Sequence, residues 1–62
     1  MNDADTVVAA YADAVKGLYK VLSSSYLMAA GDKPAENKAD AAFKAGLALA
    51  RKVRDQALVL VR

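Results

Sequence analysis

Apolar positions in the first half of the chain recur every three or four residues, the spacing of one side of an α-helix. This stripe comprises Ala4, Val8, Tyr11, Val15, Leu18, Leu22, Ser25 and Ala29. One flank is widened by Val7, Val21 and Met28, and the other by Tyr19 and Tyr26. The pattern predicts a helix over about residues 3–30, with an apolar face wider than a single partner helix would cover.

The second half repeats the helical spacing with smaller residues. The inward stripe comprises Ala39, Ala42, Phe43, Gly46, Leu49, Ala50, Val53, Ala57 and Leu60. An outer stripe comprises Asn37, Asp40, Lys44, Arg51 and Asp55, in which Asp40 with Lys44 and Arg51 with Asp55 form opposite-charge pairs at helical spacing. This pattern predicts a second helix over about residues 34–61, with an end at residues 57–61 that is apolar on all sides.

A strong turn signal, Gly31-Asp32-Lys33-Pro34, separates the two segments. Gly31 suits the left-handed residue that closes many helices, and Pro34 suits the first turn of a new one. Asp32 is the expected cap of the second helix, as Asn2 or Asp3 is of the first. A turn at residues 31–34 between two helices predicts an antiparallel hairpin.

Folding the chain about this turn sets residue i opposite residue 65 minus i. Leu18 and Tyr19 then meet Gly46, and the small second-helix residues allow the helices to approach closely. A chain of this size buries only about 60% of its unfolded surface, so two helices alone have almost no interior. The predicted fold is therefore all-α: residues 1–62 form a single antiparallel two-helix hairpin that dimerises into a four-helix bundle. The predicted dimer core comprises Val8, Tyr11, Val15, Leu18, Leu22, Phe43, Gly46, Leu49, Val53 and Leu60.

Candidate catalytic chemistry is sparse. The sequence has no Cys and no His, which removes disulfides, thiolate chemistry and the usual ligands of zinc, haem and iron–sulfur clusters. Ser23-Ser24-Ser25 has no histidine to act as its base. The sequence accordingly predicts a non-enzymatic protein with no catalytic residue, metal site or cofactor.

The charge is mildly basic, with a net of +2 and a pI near 9.1. Four bases of the second helix are candidates for a nucleic-acid contact: Lys44, Arg51, Lys52 and Arg54. An alternative reading is solvated structural charge, because the hairpin brings this end of the helix beside Asp3, Asp5 and Asp13. The structural reading is favoured.

The chain opens with an acidic segment, Met1-Asn2-Asp3-Ala4-Asp5, which lacks the basic and apolar regions of a secretory signal. Its uncharged stretch from Val21 to Gly31 falls short of the roughly 20 apolar residues that span a bilayer. We therefore expect a cytoplasmic protein without a membrane span.

Four apolar or aromatic residues remain as candidates for contact with another protein: Tyr19, Tyr26, Leu58 and Val61. Tyrosine is enriched at binding hot spots, although packing of both tyrosines at the rim of the bundle is the simpler alternative. The leading hypothesis is a homodimeric adaptor or inhibitor that binds and modulates another protein, of the size expected for a bacterial, plasmid or phage accessory protein. The alternative is a small dimeric nucleic-acid-binding regulator that uses the basic face of the second helix.

Overall fold

The computed structural model describes residues 2–62, and these residues form two α-helices joined by a short turn. Helix α1 spans Asp3–Ala29 and helix α2 spans Lys33–Leu60. The two helices pack against each other along one flat layer whose Cα atoms extend over 45 × 18 × 7 Å. The predicted all-helical hairpin is confirmed.

Side-chain capping fixes where α1 begins. The Asn2 side-chain oxygen accepts a hydrogen bond of 2.9 Å from the backbone N–H of Asp5, which would otherwise lack a partner. Asp3 and Asp5 add negative charge in the first turn, where the helix dipole is positive. Asn2 rather than Asp3 is therefore the cap.

The turn differs from expectation by one residue. Helix α1 ends at Ala29, and Ala30 takes the left-handed conformation (φ 50°, ψ 43°) before Gly31, which also has a positive φ of 85°. The N–H of Ala30 donates to the carbonyl of Tyr26, and the N–H of Asp32 donates to that of Ala29. The chain therefore reverses direction through two consecutive residues with positive φ, Ala30 and Gly31. Only one of them is glycine.

Helix α2 begins as its sequence predicts. The Asp32 carboxylate caps the helix by accepting a hydrogen bond of 3.2 Å from the N–H of Ala35. Pro34 lies in the first turn, where its missing N–H is not needed.

Three contacts across the hairpin establish its register. Leu18 lies against Gly46, Tyr26 bonds Asp40, and Arg54 lies over the ring of Tyr11. Residue numbers that meet across the hairpin therefore add up to between 64 and 66, which agrees with the predicted register.

Residues 2–62 of a single hairpin form no buried hydrophobic core. Among residues 2–62, no side chain, apolar or polar, is buried. The side chains between the helices, such as Leu18, Leu22 and Phe43, are only half-buried. Burial of apolar surface is the main favourable contribution to folding. A single hairpin gains little of this free energy, because its apolar side chains remain partly exposed.

Candidate functional site

One face of the hairpin carries an open apolar groove of about 770 Å³ between the helices. We call it the apolar groove. Its α1 wall is formed by Val7, Ala10, Ala14, Gly17 and Val21. Its floor and α2 wall are formed by Tyr11, Leu18, Gly46, Leu49, Ala50, Val53, Arg54 and Ala57. Among residues 2–62, Arg54 is the only charged residue of the lining, so the groove offers almost purely apolar contact.

The two walls of the groove differ in height. On α1 the central positions are Ala10, Ala14 and Gly17, and a Cβ placed on Gly17 would have no neighbour within 4 Å. On α2 the wall carries Leu49 and Val53, which are 63% and 60% exposed. The groove is therefore low in the middle of its α1 wall, between Val7 and Val21, and high at Leu49 and Val53 on α2.

The groove continues towards the turn as a smaller hollow of about 90 Å³. This hollow is lined by Leu18, Val21, Leu22, Ser25, Ala39, Ala42 and Phe43. Apolar surface consequently follows the seam between the helices for most of the length of the hairpin.

The opposite face of the hairpin carries two tyrosines, and we call it the tyrosine face. Tyr26 donates a hydrogen bond of 2.5 Å from its hydroxyl to Oδ1 of Asp40. Tyr19 lies two turns earlier on the same side of α1 and is 63% exposed. Leu58 follows Asp40 by five turns of α2, so it shares this face and is half-buried there.

Asp40 corrects one detail of the sequence interpretation, which placed it on the solvent side beside Lys44. It is half-buried at the seam, where it binds Tyr26. This hydrogen bond is the main reason that the pKa of Tyr26 rises from 10.0 to about 12, because ionising the phenol would remove the donor from a carboxylate. Desolvation and the negative charges of Asp40 and Glu36 act in the same direction.

Arg54 lies at the seam rather than on a free basic surface. Its guanidinium carbon is 4.5 Å from the centroid of the Tyr11 ring, and its Nε donates to Oδ1 of Asp55 at 3.0 Å. Asp55 therefore pairs with its neighbour Arg54 and not with Arg51 as the sequence suggested. Of the predicted nucleic-acid candidates, Lys44, Arg51 and Lys52 are exposed.

The structure distributes the predicted dimer-core residues over several places. Five of them line the groove, namely Tyr11, Leu18, Gly46, Leu49 and Val53. Leu22 and Phe43 line the hollow near the turn. Elsewhere, Val15 is half-buried, Val8 is 52% exposed on the side of Tyr26, and Leu60 is 73% exposed near the end of α2.

The predicted partner residues also differ in exposure. Tyr19 and Tyr26 are 63% and 37% exposed, and Val61 is 37% exposed just after α2 ends. Sequence reasoning missed Ala10, Ala14 and Gly17 as lining residues. The sequence did contain a sign of this low wall. The three small residues recur at helical spacing, and Gly17 lies inside a helix, where glycine is unfavourable unless close packing requires it.

Comparison with known proteins gives no relative: no protein-family model, curated protein or solved structure matches the chain. Within residues 2–62, neither helix is long and apolar enough to cross a bilayer. The same residues contain no cluster of three acidic side chains that could hold a metal ion.

Proposed function

We propose that this protein is a homodimeric, non-enzymatic interaction module of the cytoplasm, which binds another protein and modulates it as an adaptor or inhibitor. The observation that carries this proposal is the apolar groove in a chain none of whose described residues is buried. An exposed apolar surface of this kind marks a site of association.

Self-association is the first half of the proposal. Two hairpins that stack their grooves form a four-helix bundle, in which Leu49 and Val53 become core residues. The stability of each chain then depends on its concentration, because folding and assembly are linked.

The tyrosine face is the second half of the proposal. It stays on the outside of such a bundle because it lies opposite the groove. Tyr26 is held in place by Asp40, whereas the Tyr19 hydroxyl has no hydrogen-bond partner within residues 2–62. Two tyrosine rings on one face, two turns apart and one of them held in place, supply contact area at low entropic cost, and Leu58 lies farther along the same face.

Sedimentation equilibrium tests self-association. We expect the native chain to sediment as a dimer and Leu49→Asp to sediment as a monomer. Leu27→Asp is the matched control, because Leu27 is 82% exposed and does not line the groove. A native chain that is monomeric at every concentration, or a Leu27→Asp chain that dissociates equally, contradicts the proposal.

Copurification tests partner binding. The dimer should retain a stoichiometric protein, which Tyr19→Ala and Leu58→Asp lose and Leu27→Ala keeps. The circular dichroism of each variant shows whether its helices are intact. Recovery of the bare dimer, or equal retention by all variants, counts against a partner on the tyrosine face.

A second candidate function, nucleic-acid binding, is supported by the exposed bases Lys44 and Arg51. They lie seven residues apart, and thus on one side of α2. This function predicts an affinity that falls steeply with salt and weakens with Arg51→Glu. Absence of binding to DNA or structured RNA at low salt removes it.

A further inference from the structure

The apolar groove has a shape that selects among the ways in which two copies can stack. Its α1 wall is low at Ala10, Ala14 and Gly17, and its α2 wall is high at Leu49 and Val53. The small size of Gly46 on α2 has a reason within a single hairpin, because Leu18 occupies the space that a Cβ at this position would need. Gly17 has no such neighbour, so its small size has no purpose within a single hairpin.

The hairpin exposes more area than a compact monomer of its mass, and the excess is close to the area that each partner buries in a dimer interface. The hairpin exposes 4733 Å², whereas a compact monomer of this mass exposes roughly 3,800 Å². The excess of about 900 Å² is close to the roughly 800 Å² that each partner buries in a standard interface. A second copy of the chain is therefore an occupant of suitable size.

We infer that a second copy covers the groove with both turns at the same end of the bundle, so that α1 of each chain lies antiparallel on α2 of the other. In this arrangement the two-fold axis runs parallel to the helices. Each low α1 wall receives the high α2 wall of the second copy, and Leu49 of one chain lies over Gly17 of the other. All four helices can then pack at similar separations.

The competing arrangement places the turns at opposite ends, with a two-fold axis perpendicular to the helices. It stacks α1 on α1 and α2 on α2. The low walls then face each other across Gly17, while Leu49, which lies near the level of Gly17 in the register of the hairpin, meets Leu49 of the second copy. Such a bundle has one close and one wide pair of layers, which packs less evenly.

Charges on the groove rims provide an ion pair that is particular to the same-end arrangement. A two-fold axis parallel to the helices adds no shift along them, so the register of the hairpin also holds between the chains. Asp13 then lies level with Lys52 of the second copy. By helical spacing Asp13 adjoins Gly17, and Lys52 adjoins Leu49, so both lie next to residues that line the groove. Within the chain Asp13 approaches only Lys16, at 3.9 Å with both side chains exposed, and Lys52 has no acidic partner within residues 2–62. The same-end dimer forms the Asp13–Lys52 pair twice.

Spin labels measure the arrangement directly, because the sequence has no native Cys. Lys33→Cys places a label at the turn, and Lys16→Cys places one near the middle of α1. We expect short interchain distances, below about 30 Å, for both labels, since three helix diameters of about 10 Å bound the width of such a bundle. The opposite-end arrangement separates the turn labels by about the 45 Å length of the hairpin while keeping the Lys16→Cys pair short.

Charge reversal provides a second readout. Asp13→Lys should weaken the dimer about fivefold or more, since it replaces two exposed attractions with repulsions. Adding Lys52→Asp should restore the native affinity, whereas adding Lys20→Asp, which changes the net charge equally, should not. Rescue by Lys20→Asp instead overturns the inference.

The inference rests on the proposed self-association, and the label distances separate the two. A dimer with distant turn labels overturns the same-end arrangement and leaves the dimeric function standing. A chain that remains monomeric overturns both, and leaves the groove to a different occupant such as a lipid or a partner helix.

Discussion

Leu18 occupies the space in which a side chain of Gly46 would lie. A Cβ on Gly46 would come within 2.5 Å of Cδ2 and 3.5 Å of Cγ of Leu18. The contact lies at the middle of the seam and sets how closely the two helices approach. Gly46 is therefore retained for packing, although glycine costs about 1 kcal/mol relative to alanine in a helix.

Gly46→Ala should lower the free energy of unfolding by about 1 kcal/mol, because overpacking costs about 1–3 kcal/mol and the gain in helix propensity offsets about 1 kcal/mol of it. In a Leu18→Ala background the same change should raise it by about 1 kcal/mol, since only the propensity remains. Urea unfolding of the four chains at one protein concentration measures the cycle. Equal effects in both backgrounds would show that Leu18 does not restrict this position.

Ala30→Gly should stabilise the hairpin by about 0.5–1 kcal/mol, because Ala30 has a positive φ of 50° that glycine adopts without steric cost. Ala29→Gly is the matched control. One residue earlier the chain is helical, so glycine there should destabilise by up to about 1 kcal/mol. Thermal unfolding followed by circular dichroism compares them, and a shift of the same sign in both variants contradicts the left-handed assignment.

Tyr26 should ionise near pH 12 rather than near pH 10, since its hydroxyl donates to Asp40. A raised pKa in the folded state means that the neutral phenol is the favoured form. The stabilisation is complete below pH 10 and is lost as the pH rises towards 12. The difference between ultraviolet titrations of the native chain and Tyr26→Phe isolates this group.

Asp40→Asn serves as the control for that titration. Removal of the carboxylate should return the pKa of Tyr26 towards 10.0, with the helices intact at neutral pH. An unchanged high pKa in Asp40→Asn would mean that the hydrogen bond is not its main cause.

Arg54 and Tyr11 should show a coupling of about 0.5–1 kcal/mol in a double-mutant cycle, the range for a partly exposed cation–π contact. The cycle uses Arg54→Met, which keeps an apolar stem over the ring, and Tyr11→Leu. Denaturant unfolding of the two single variants and the double variant supplies the coupling. Additive effects would mean that Arg54 stabilises the seam through packing alone.

Local chemistry along the sequence determined the two helices and their antiparallel order. Capping by Asn2 and Asp32 and the apolar spacing of each segment depend on residues close in the chain, so they can be read without tertiary information. The register followed as well, because the short connection at residues 30–32 leaves the two helices little freedom to slide along each other. The contact of Leu18 with Gly46 confirms it.

The tertiary structure determined which residues of each apolar stripe pack at the seam between the helices and which line the open groove. Leu49 and Leu18 both belong to inward stripes, yet Leu18 lies at the seam while Leu49 rises on the wall of the groove, 63% exposed. Periodicity gives the angle of a residue around its own helix but not the direction of the neighbouring helix. For the same reason Asp40 looked solvent-facing until α1 placed Tyr26 beside it. The low and high walls of the groove exist only once the second helix is in position.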